Sequence, residues 1–166
     1  MKIIDRLKKK ENTLSFEVFP PKPNGNAEAI RSAVEKIASL SPSYMSVTYG
    51  AGGGNSKNTI EIAKAVQGCG VTALAHLTCV TATRDIISSR LSELKEAGIE
   101  NVLALRGDKP KDYTDDMQGD YKYASELIED IKKQGDFCIG AACYPEGHVE
   151  CESRKQDLEN LKIKVD

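Results

Sequence analysis

The sequence contains no tryptophan, and aromatic residues make up only 5% of its 166 positions. No apolar run approaches the length of a bilayer, and the N-terminal region offers only Ile3 and Ile4 as an apolar pair, so neither a membrane span nor a secretory signal is predicted. The net charge is −2, and the lysines at 8–10 form too short a basic run to recruit nucleic acid alone. These absences predict a cytoplasmic protein without a membrane or nucleic-acid partner.

The five cysteines form no C-x-x-C pair, and their odd number does not suit a disulfide framework. Cys143 and Cys151 flank His148 and Glu150, but this spacing matches no common zinc pattern, so no metal site is predicted. The sequence also lacks H-E-x-x-H, a P-loop and the dinucleotide fingerprint G-x-G-x-x-G. With 40% hydrophobic and 29% charged residues, the chain fits a single globular domain.

Two kinds of apolar segment alternate along the chain. Strands are predicted where apolar residues alternate or run continuously, at residues 15–19, 44–48, 72–78, 101–106 and 137–143. Helices are predicted where apolar residues recur every three or four positions, after 24–26, over 56–67, from 83 to 98, from about 124 to 135 and from 152 onward, with a short polar helix at 2–11. Five strand–helix units in strict alternation indicate a parallel sheet covered by helices.

A β/α barrel is favoured over an open doubly wound sheet. Open nucleotide-binding sheets carry their glycine fingerprint after the first strand, where this chain has Pro20 and Pro21. A (β/α)8 TIM barrel needs eight strands, and the last predicted helix, with Leu158, Leu161 and Val165 on one face, shows no stop signal. We therefore expect residues 1–166 to form one partial barrel domain of five βα units, lacking strands six to eight, within a longer protein.

Polar residues follow or close every predicted strand. They are Glu17, Thr48 and Tyr49, His76, Arg106 to Asp108, and residues 144–148. Each has an ordinary structural explanation when taken alone, such as a solvent-exposed glutamate on an edge strand or a histidine satisfied within the core. Because the carboxyl ends of parallel strands share one rim, where barrel ligands bind, we expect these side chains to converge there.

The residues alone leave more than one function open, and two of these need no flavin chemistry. One is a barrel enzyme without flavin that uses Glu17 and Asp108 for acid–base chemistry on a carbonyl substrate, and the other is a scaffold without catalytic activity. A Schiff-base aldolase is less favoured, since no lysine falls inside a predicted strand.

Five segments, in order and across the whole chain, resemble the methylenetetrahydrofolate reductase family. They are residues 15–22 (SFEVFPPK), 46–51 (SVTYGA), 75–79 (AHLTC), 105–108 (LRGD) and 144–148 (YPEGH). The resemblance implies a β/α barrel that uses FAD to reduce 5,10-methylenetetrahydrofolate to 5-methyltetrahydrofolate, with NAD(P)H as electron donor, in one-carbon metabolism and methionine synthesis. It leaves open a partner electron-transfer protein as donor, and the formation of a homo-oligomer.

The resemblance also implies roles for individual residues. Glu17 would be the general acid, Asp108 the carboxylate between flavin and pterin, and Thr48 a contact of the nicotinamide. Contacts with FAD would fall on Tyr49, Ala51, His76, Arg106, Gly107, Asp108, Ala124, Tyr144, His148, Cys151, Asp157, Asn160 and Lys164. Cys151 stands where a small alanine is common in the family, and Ile163 stands where some members have a basic residue.

Overall fold

The described residues of the computed structural model, 1–21, 25–49, 56–110 and 112–165, form one five-stranded sheet. All neighbouring strands are parallel, and their spatial order is the order of the chain. The strands are β1 (Ser15–Val18), β2 (Tyr44–Val47), β3 (Ala73–Thr78), β4 (Asn101–Leu105) and β5 (Cys138–Ala141). This sequential parallel order is that of a β/α barrel, which confirms the predicted class for the five units present.

Helices connect the strands as predicted. They are α1 (Ile3–Leu7), α2 (Ala27–Ala38), α3 (Ser56–Gly68), α4 (Arg84–Glu96), α5 (Ala124–Gln134) and α6 (Arg154–Val165), with a short 3-10 turn at Asp115–Met117. The Asn26 side chain caps α2 by accepting from two backbone N–H groups, and the hydroxyl of Thr83 caps α4 by accepting from the N–H of Ile86. In the part of the chain described, no helix is long and apolar enough to cross a membrane.

The two faces of the sheet differ in character. On the outer face Val47, Ala75 and Val102 are register neighbours in three adjacent strands, and all are fully buried. They share one apolar cluster with residues from the covering helices, including Val34, Val66, Leu91 and Leu127. The inner face carries the polar groups Glu17, Ser46 and His76 together with apolar side chains such as Leu74, because residues one position along a strand point the opposite way.

At the amino end of the sheet, α1 is fixed by one buried side chain. Asn101 is 2% exposed, and its side-chain oxygen accepts from the backbone N–H of Ile3 at 2.8 Å. Its amide nitrogen donates to the carbonyl oxygens of Met1 and Ala73, each at 3.2 Å. The short N-terminal helix therefore lies across the amino end of the sheet, away from the rim that carries the predicted site.

Several predicted boundaries are wrong. The N-terminal helix ends at Leu7 instead of residue 11, because Lys10 has a φ of +55°, outside the helical range, and the lysines at 8–10 bring no apolar side chain to the sheet. Strand β5 covers only Cys138–Ala141, which are the positions paired with β4. The last helix begins at Arg154 instead of 152. Its predicted apolar face is largely uncovered in the described chain, with Leu158 60% and Val165 76% exposed.

Candidate active site

The predicted convergence of polar residues on one rim is confirmed. Glu17 is the penultimate residue of β1, and His76 lies two residues before the end of β3. Arg106 directly follows β4, and Tyr144 comes shortly after β5. Because all five strands point the same way, these side chains belong to the carboxyl end of one sheet. In parallel β/α folds that end is where ligands bind.

Glu17 lies beside a serine and a histidine from the next two strands. Register pairs Glu17 with Ser46, and the hydroxyl of Ser46 donates to the Oε2 atom of Glu17 at 3.5 Å. The Nε2 atom of His76 is 4.0 Å from the same oxygen. The Glu17 side chain is 47% exposed, whereas that of His76 is 10% exposed. The polar groups that approach the Glu17 carboxyl are therefore a hydroxyl and an imidazole.

His76 is a buried polar residue of the rim, with 8% of its surface exposed. Burial lowers the pKa of its imidazole, and the negative charge of Glu17 acts in the opposite direction. The ring is therefore neutral at pH 7. Its Nε2 atom is buried and has no hydrogen-bond partner among the described residues, which is an uncommon and costly state for a polar atom.

The turn after β4 holds the second predicted carboxylate. Gly107 adopts a φ of +84°, and a Cβ added there would lie 3.0 Å from the Cβ of Thr78. Only glycine adopts that backbone without strain so close to a neighbouring strand. The carbonyl oxygen of Arg106 accepts from the N–H groups of Cys79 and Val80, so this turn is joined to the loop after β3. Asp108 follows in an exposed position.

Arg106 is paired across the rim with Glu150, for which the sequence indicated no role at the site. Its two terminal nitrogens donate to the two carboxylate oxygens of Glu150 at 2.5 and 2.8 Å. This two-point hydrogen bonding with Arg106 lowers the pKa of Glu150 to about 2. The pair connects the end of β4 to the segment between β5 and α6.

That segment brings Tyr144, His148 and Asp157 together. The rings of Tyr144 and His148 meet edge to face with centroids 4.8 Å apart. The backbone N–H of His148 donates to Asp157 at 3.1 Å, so the first turn of α6 holds the loop after β5. Cys151 and Asn160 approach each other at 3.9 Å through sulfur and amide nitrogen.

A cleft of about 160 Å³ opens between this segment and α6. Its lining includes Tyr144, Arg154, Asp157, Leu161 and Lys164. Lys164 reaches over the cleft to donate to the carbonyl oxygen of Ala142 at 3.2 Å. Two cations, one carboxylate and apolar side chains in one cleft suit a ligand with both anionic and flat apolar parts. The volume is smaller than the roughly 300–1,000 Å³ typical of a complete ligand pocket.

Three predicted cofactor residues lie apart from these contacts. The carbonyl oxygen of Thr48 accepts from the hydroxyl of Thr59, and Tyr49 packs against the apolar core. Ala124 is 8% exposed at the first position of α5 and belongs to the core. Ala51 lies outside the described residues.

Three site residues were missed in the sequence. Ser46 was recognised only as a polar position of its strand, although its place in the alternation puts it on the face of Glu17. The roles of Glu150 and Arg154 could not be predicted from the sequence. Their contacts with Arg106 and the carbonyl oxygen of Pro145 depend on the conformation of loops, which no sequence period indicates. In the part of the chain described, no three His, Cys, Asp or Glu side chains are grouped as metal ligands would be.

The fold and rim define a β/α-barrel protein with a carboxylic acid, a buried imidazole and several cations at the carboxyl end of its strands. Residues 2–166 match the family model described as methylenetetrahydrofolate reductase. The chain belongs to the methylenetetrahydrofolate reductase family.

Curated relatives agree with this assignment. The chain is 40% identical over 155 residues to 5,10-methylenetetrahydrofolate reductase of Pectobacterium carotovorum subsp. carotovorum, covering 92% of this chain and 50% of the relative. It is 39% identical over 157 residues to the Escherichia coli (strain K12) protein of the same name, covering 92% and 51%. Over its whole length it is 36% identical to methylenetetrahydrofolate reductase (NADH) 1 of Arabidopsis thaliana, covering 31% of that protein. The chain thus spans about half the length of these bacterial relatives.

Solved structures support the fold alone. N-acetylneuraminate lyase from Fusobacterium nucleatum superposes with a TM-score of 0.57 at 12% identity, over 90% of this chain and 52% of that one. The 2-keto 3-deoxygluconate aldolase from Picrophilus torridus gives 0.55 at 12% identity, over 92% and 54%.

Proposed function

We propose that the protein reduces 5,10-methylenetetrahydrofolate to 5-methyltetrahydrofolate, with FAD as cofactor and NAD(P)H as electron donor. The observation that carries this proposal is the position of Glu17, on the inner face at the carboxyl rim, in a chain that belongs to the reductase family over residues 2–166. The reaction belongs to one-carbon metabolism, supplies the methyl group for methionine synthesis and takes place in the cytoplasm.

The substrate requires a proton before it is reduced. Its five-membered ring opens when a weakly basic ring nitrogen is protonated and the bond from that nitrogen to the bridging carbon breaks. Glu17 is the proton donor, and the carbon left behind becomes a cationic iminium. Asp108, at the exposed turn after β4, stabilises that positive charge when it is ionised. General acid catalysis of this kind typically contributes ~10²–10⁴-fold.

FAD, when bound, supplies the hydride that reduces the iminium carbon. Residues around the cleft fit such a cofactor in charge and shape. Arg106, Arg154 and Lys164 would hold its phosphates, and the rings of Tyr144 and His148 would contact its flat portion. Asp157 and Asn160 offer a carboxylate and an amide for ribose hydroxyl groups. Of the remaining predicted contacts, His76 and Gly107 lie near the strand ends and Cys151 lies between β5 and α6, whereas Tyr49 and Ala124 pack in or against the apolar core.

The visible spectrum of the purified protein tests the proposal. We expect flavin absorbance that bleaches on anaerobic addition of NADH or NADPH and returns when 5,10-methylenetetrahydrofolate is added. The nucleotide that bleaches the flavin faster identifies the donor, and bleaching only by an added carrier protein identifies a partner. A colourless protein that neither retains FAD nor takes it up would contradict the proposal and favour acid–base chemistry without flavin.

A further inference from the structure

We propose that Ser46 and His76 are positioning residues that hold one oxygen of Glu17, the Oε2 atom, so that the catalytic proton resides on the other oxygen, Oε1. This inference rests on the proposed function, because it concerns the acid of that reaction. It adds a defined orientation to the proton and assigns a role to a serine that carries none so far.

The sheet places the three side chains on one face. Glu17 and Ser46 are register partners, and His76 lies on the same face of the next strand, since its neighbours Ala75 and Leu77 are buried on the outer face. Ser46 is 8% exposed, so its hydroxyl faces the sheet interior instead of bulk water. Both side chains approach the same carboxyl oxygen, Oε2, at 3.5 and 4.0 Å.

The buried Nε2 atom of His76 supplies the second argument. It has no partner in the described chain, although an unpaired buried donor costs about 1–3 kcal/mol. Its register neighbour on β4, Leu103, is uncharged, and Glu17 is the charged group that acts on it. The Glu17 side chain is 47% exposed, and a shift of roughly 1 Å brings its Oε2 atom within the ordinary hydrogen-bond distance.

Carboxyl chemistry then decides which oxygen holds the proton. The imidazole is neutral, and the tautomer with hydrogen on Nε2 is the one that donates to Oε2. In a protonated carboxyl group the carbonyl oxygen is the better acceptor, whereas the hydroxyl oxygen carries the proton. Two donors on Oε2 therefore make it the carbonyl oxygen and leave the proton on Oε1. After proton transfer the same two donors remain in place, so the next proton again enters at Oε1.

Infrared spectroscopy tests this arrangement directly. The carbonyl stretch of protonated Glu17 is isolated as the difference between the protein and its Glu17→Gln variant, at a pH where the carboxyl group is protonated. A carbonyl that accepts two hydrogen bonds absorbs at lower frequency than a free one. We expect Ser46→Ala and His76→Leu each to shift the band upward and His76→Gln, which keeps a donor, to restore most of the shift. Ser92→Ala, on the exposed face of α4, is the matched control and leaves the band unchanged.

Kinetics provide a second measurement. Loss of one donor is expected to slow reoxidation of the reduced flavin by 5,10-methylenetetrahydrofolate about three- to tenfold, as for a single hydrogen bond. Because both donors act on one oxygen, the double variant is expected to differ from the product of the single effects. If the His76→Leu variant does not bind FAD, two measurements still test the positioning role. They are the kinetics of Ser46→Ala and the carbonyl band of Glu17 in the flavin-free His76→Leu protein.

Two results separate the inference from the function on which it rests. If the band and the folate half-reaction are unchanged in Ser46→Ala and His76→Leu while Glu17→Gln loses folate reduction, the positioning role is overturned and the function stands. If Glu17→Gln itself keeps normal folate reduction, the proposed function fails first.

Discussion

At the scale of single residues, Glu17 and Glu150 at the rim have different partners. Glu17 faces a serine and a neutral histidine, whereas Glu150 is bound at two points by a guanidinium. An acid that must release a proton cannot be held by a permanent cation, because the cation would keep it ionised. The pairing with Arg106 thus makes Glu150 unsuited to proton donation, whereas Glu17 has no such cation beside it.

The Arg106–Glu150 pair is expected to oppose the binding of anions. Both terminal nitrogens of Arg106 are occupied by Glu150, so a phosphate that approaches this guanidinium must displace the carboxylate. We predict that Glu150→Gln binds FAD several-fold more tightly, in a salt-dependent manner, by fluorescence titration of the flavin-free protein. Glu152→Gln, an exposed neighbour, is the control. Weaker binding of FAD in Glu150→Gln would instead show that Glu150 orients Arg106 for the cofactor.

The pH dependence of stability reports on His76. Its pKa is lowered in the folded protein, so the unfolded chain takes up a proton as the pH falls below about 6.5 while the folded protein does not. This contribution to stability is present above that pH and is lost below it. We predict that urea unfolding shows the protein losing stability between pH 7 and pH 5, and that His76→Gln loses less. The contribution of Glu150 to folding stability is lost only as the pH falls from about 4.5 toward 2. The effects of His76 and Glu150 on stability therefore occur in separate pH ranges. Equal pH dependence in both proteins would contradict the burial of His76.

At the scale of secondary structure elements, two neighbouring loops at the rim are joined through their backbones. The N–H of Asp120 donates to the carbonyl oxygen of Ala82, and the Asp120 side chain accepts from the N–H of Arg84 at the start of α4. A Cβ added at Gly119 would lie 2.2 Å from the carbonyl oxygen of Ala82. The loop between β4 and α5 therefore lies directly on the loop between β3 and α4.

Gly119→Ala is predicted to destabilise the protein by about 1–3 kcal/mol, since a backbone atom must move to admit the methyl group. Gly68→Ala is the matched control, because nothing lies within 4 Å of an added Cβ there and the position ends a helix. Midpoints of urea unfolding measure both. Equal midpoints for the two variants would show that the two loops are not in contact as described.

The elements were largely predictable, and the contacts between loops were not. The alternation of Met45 and Val47 with Ser46 specified which face each side chain occupies, and the spacing of Ile87, Leu91 and Leu94 specified the buried face of α4. These patterns reflect burial, which repeats with the period of the element. The pairing of Arg106 with Glu150 joins two irregular segments with no shared period, so the sequence carried no signal for it.

The last helix, α6, shows the converse case, in which a helical spacing of apolar residues is present but the face is not buried. Leu158, Leu161 and Val165 do lie at helical spacing, but only Leu161 is even half-buried. Periodicity predicts a face that can be buried, whereas burial itself depends on a neighbouring surface. In the described chain, α6 contacts α5 and the loop after β5. Its remaining apolar side chains have no such surface.

At the scale of the whole molecule, the inner face of the sheet is open at its amino end. A groove of about 440 Å³ is lined mainly by apolar side chains, among them Ile3, Leu7, Tyr44, Leu74 and Phe137. In the sheet described, β1 and β5 each have one unpaired edge. Exposed edges and apolar grooves of this kind favour association. We propose that these five units are a partial barrel whose inner face is covered in the complete protein.

This proposal predicts the behaviour of a polypeptide limited to residues 1–166. We expect it to self-associate in sedimentation experiments, increasingly with concentration, and Leu74→Lys to reduce the association by placing a charge in the groove. Lys132→Ala, on the exposed side of α5, is the control for altered charge. A soluble monomer at high concentration that binds FAD stoichiometrically would show that the five units are sufficient by themselves.

The most direct test of the account is a comparison of the two half-reactions in Glu17→Gln by stopped-flow absorbance. Glutamine keeps the shape of the side chain but cannot donate the proton. We predict that FAD remains bound and is reduced by the nicotinamide donor within about twofold of the normal rate, whereas its reoxidation by 5,10-methylenetetrahydrofolate falls by ~10²–10⁴-fold. Reoxidation at a near-normal rate would contradict the central claim that Glu17 is the acid that opens the folate ring.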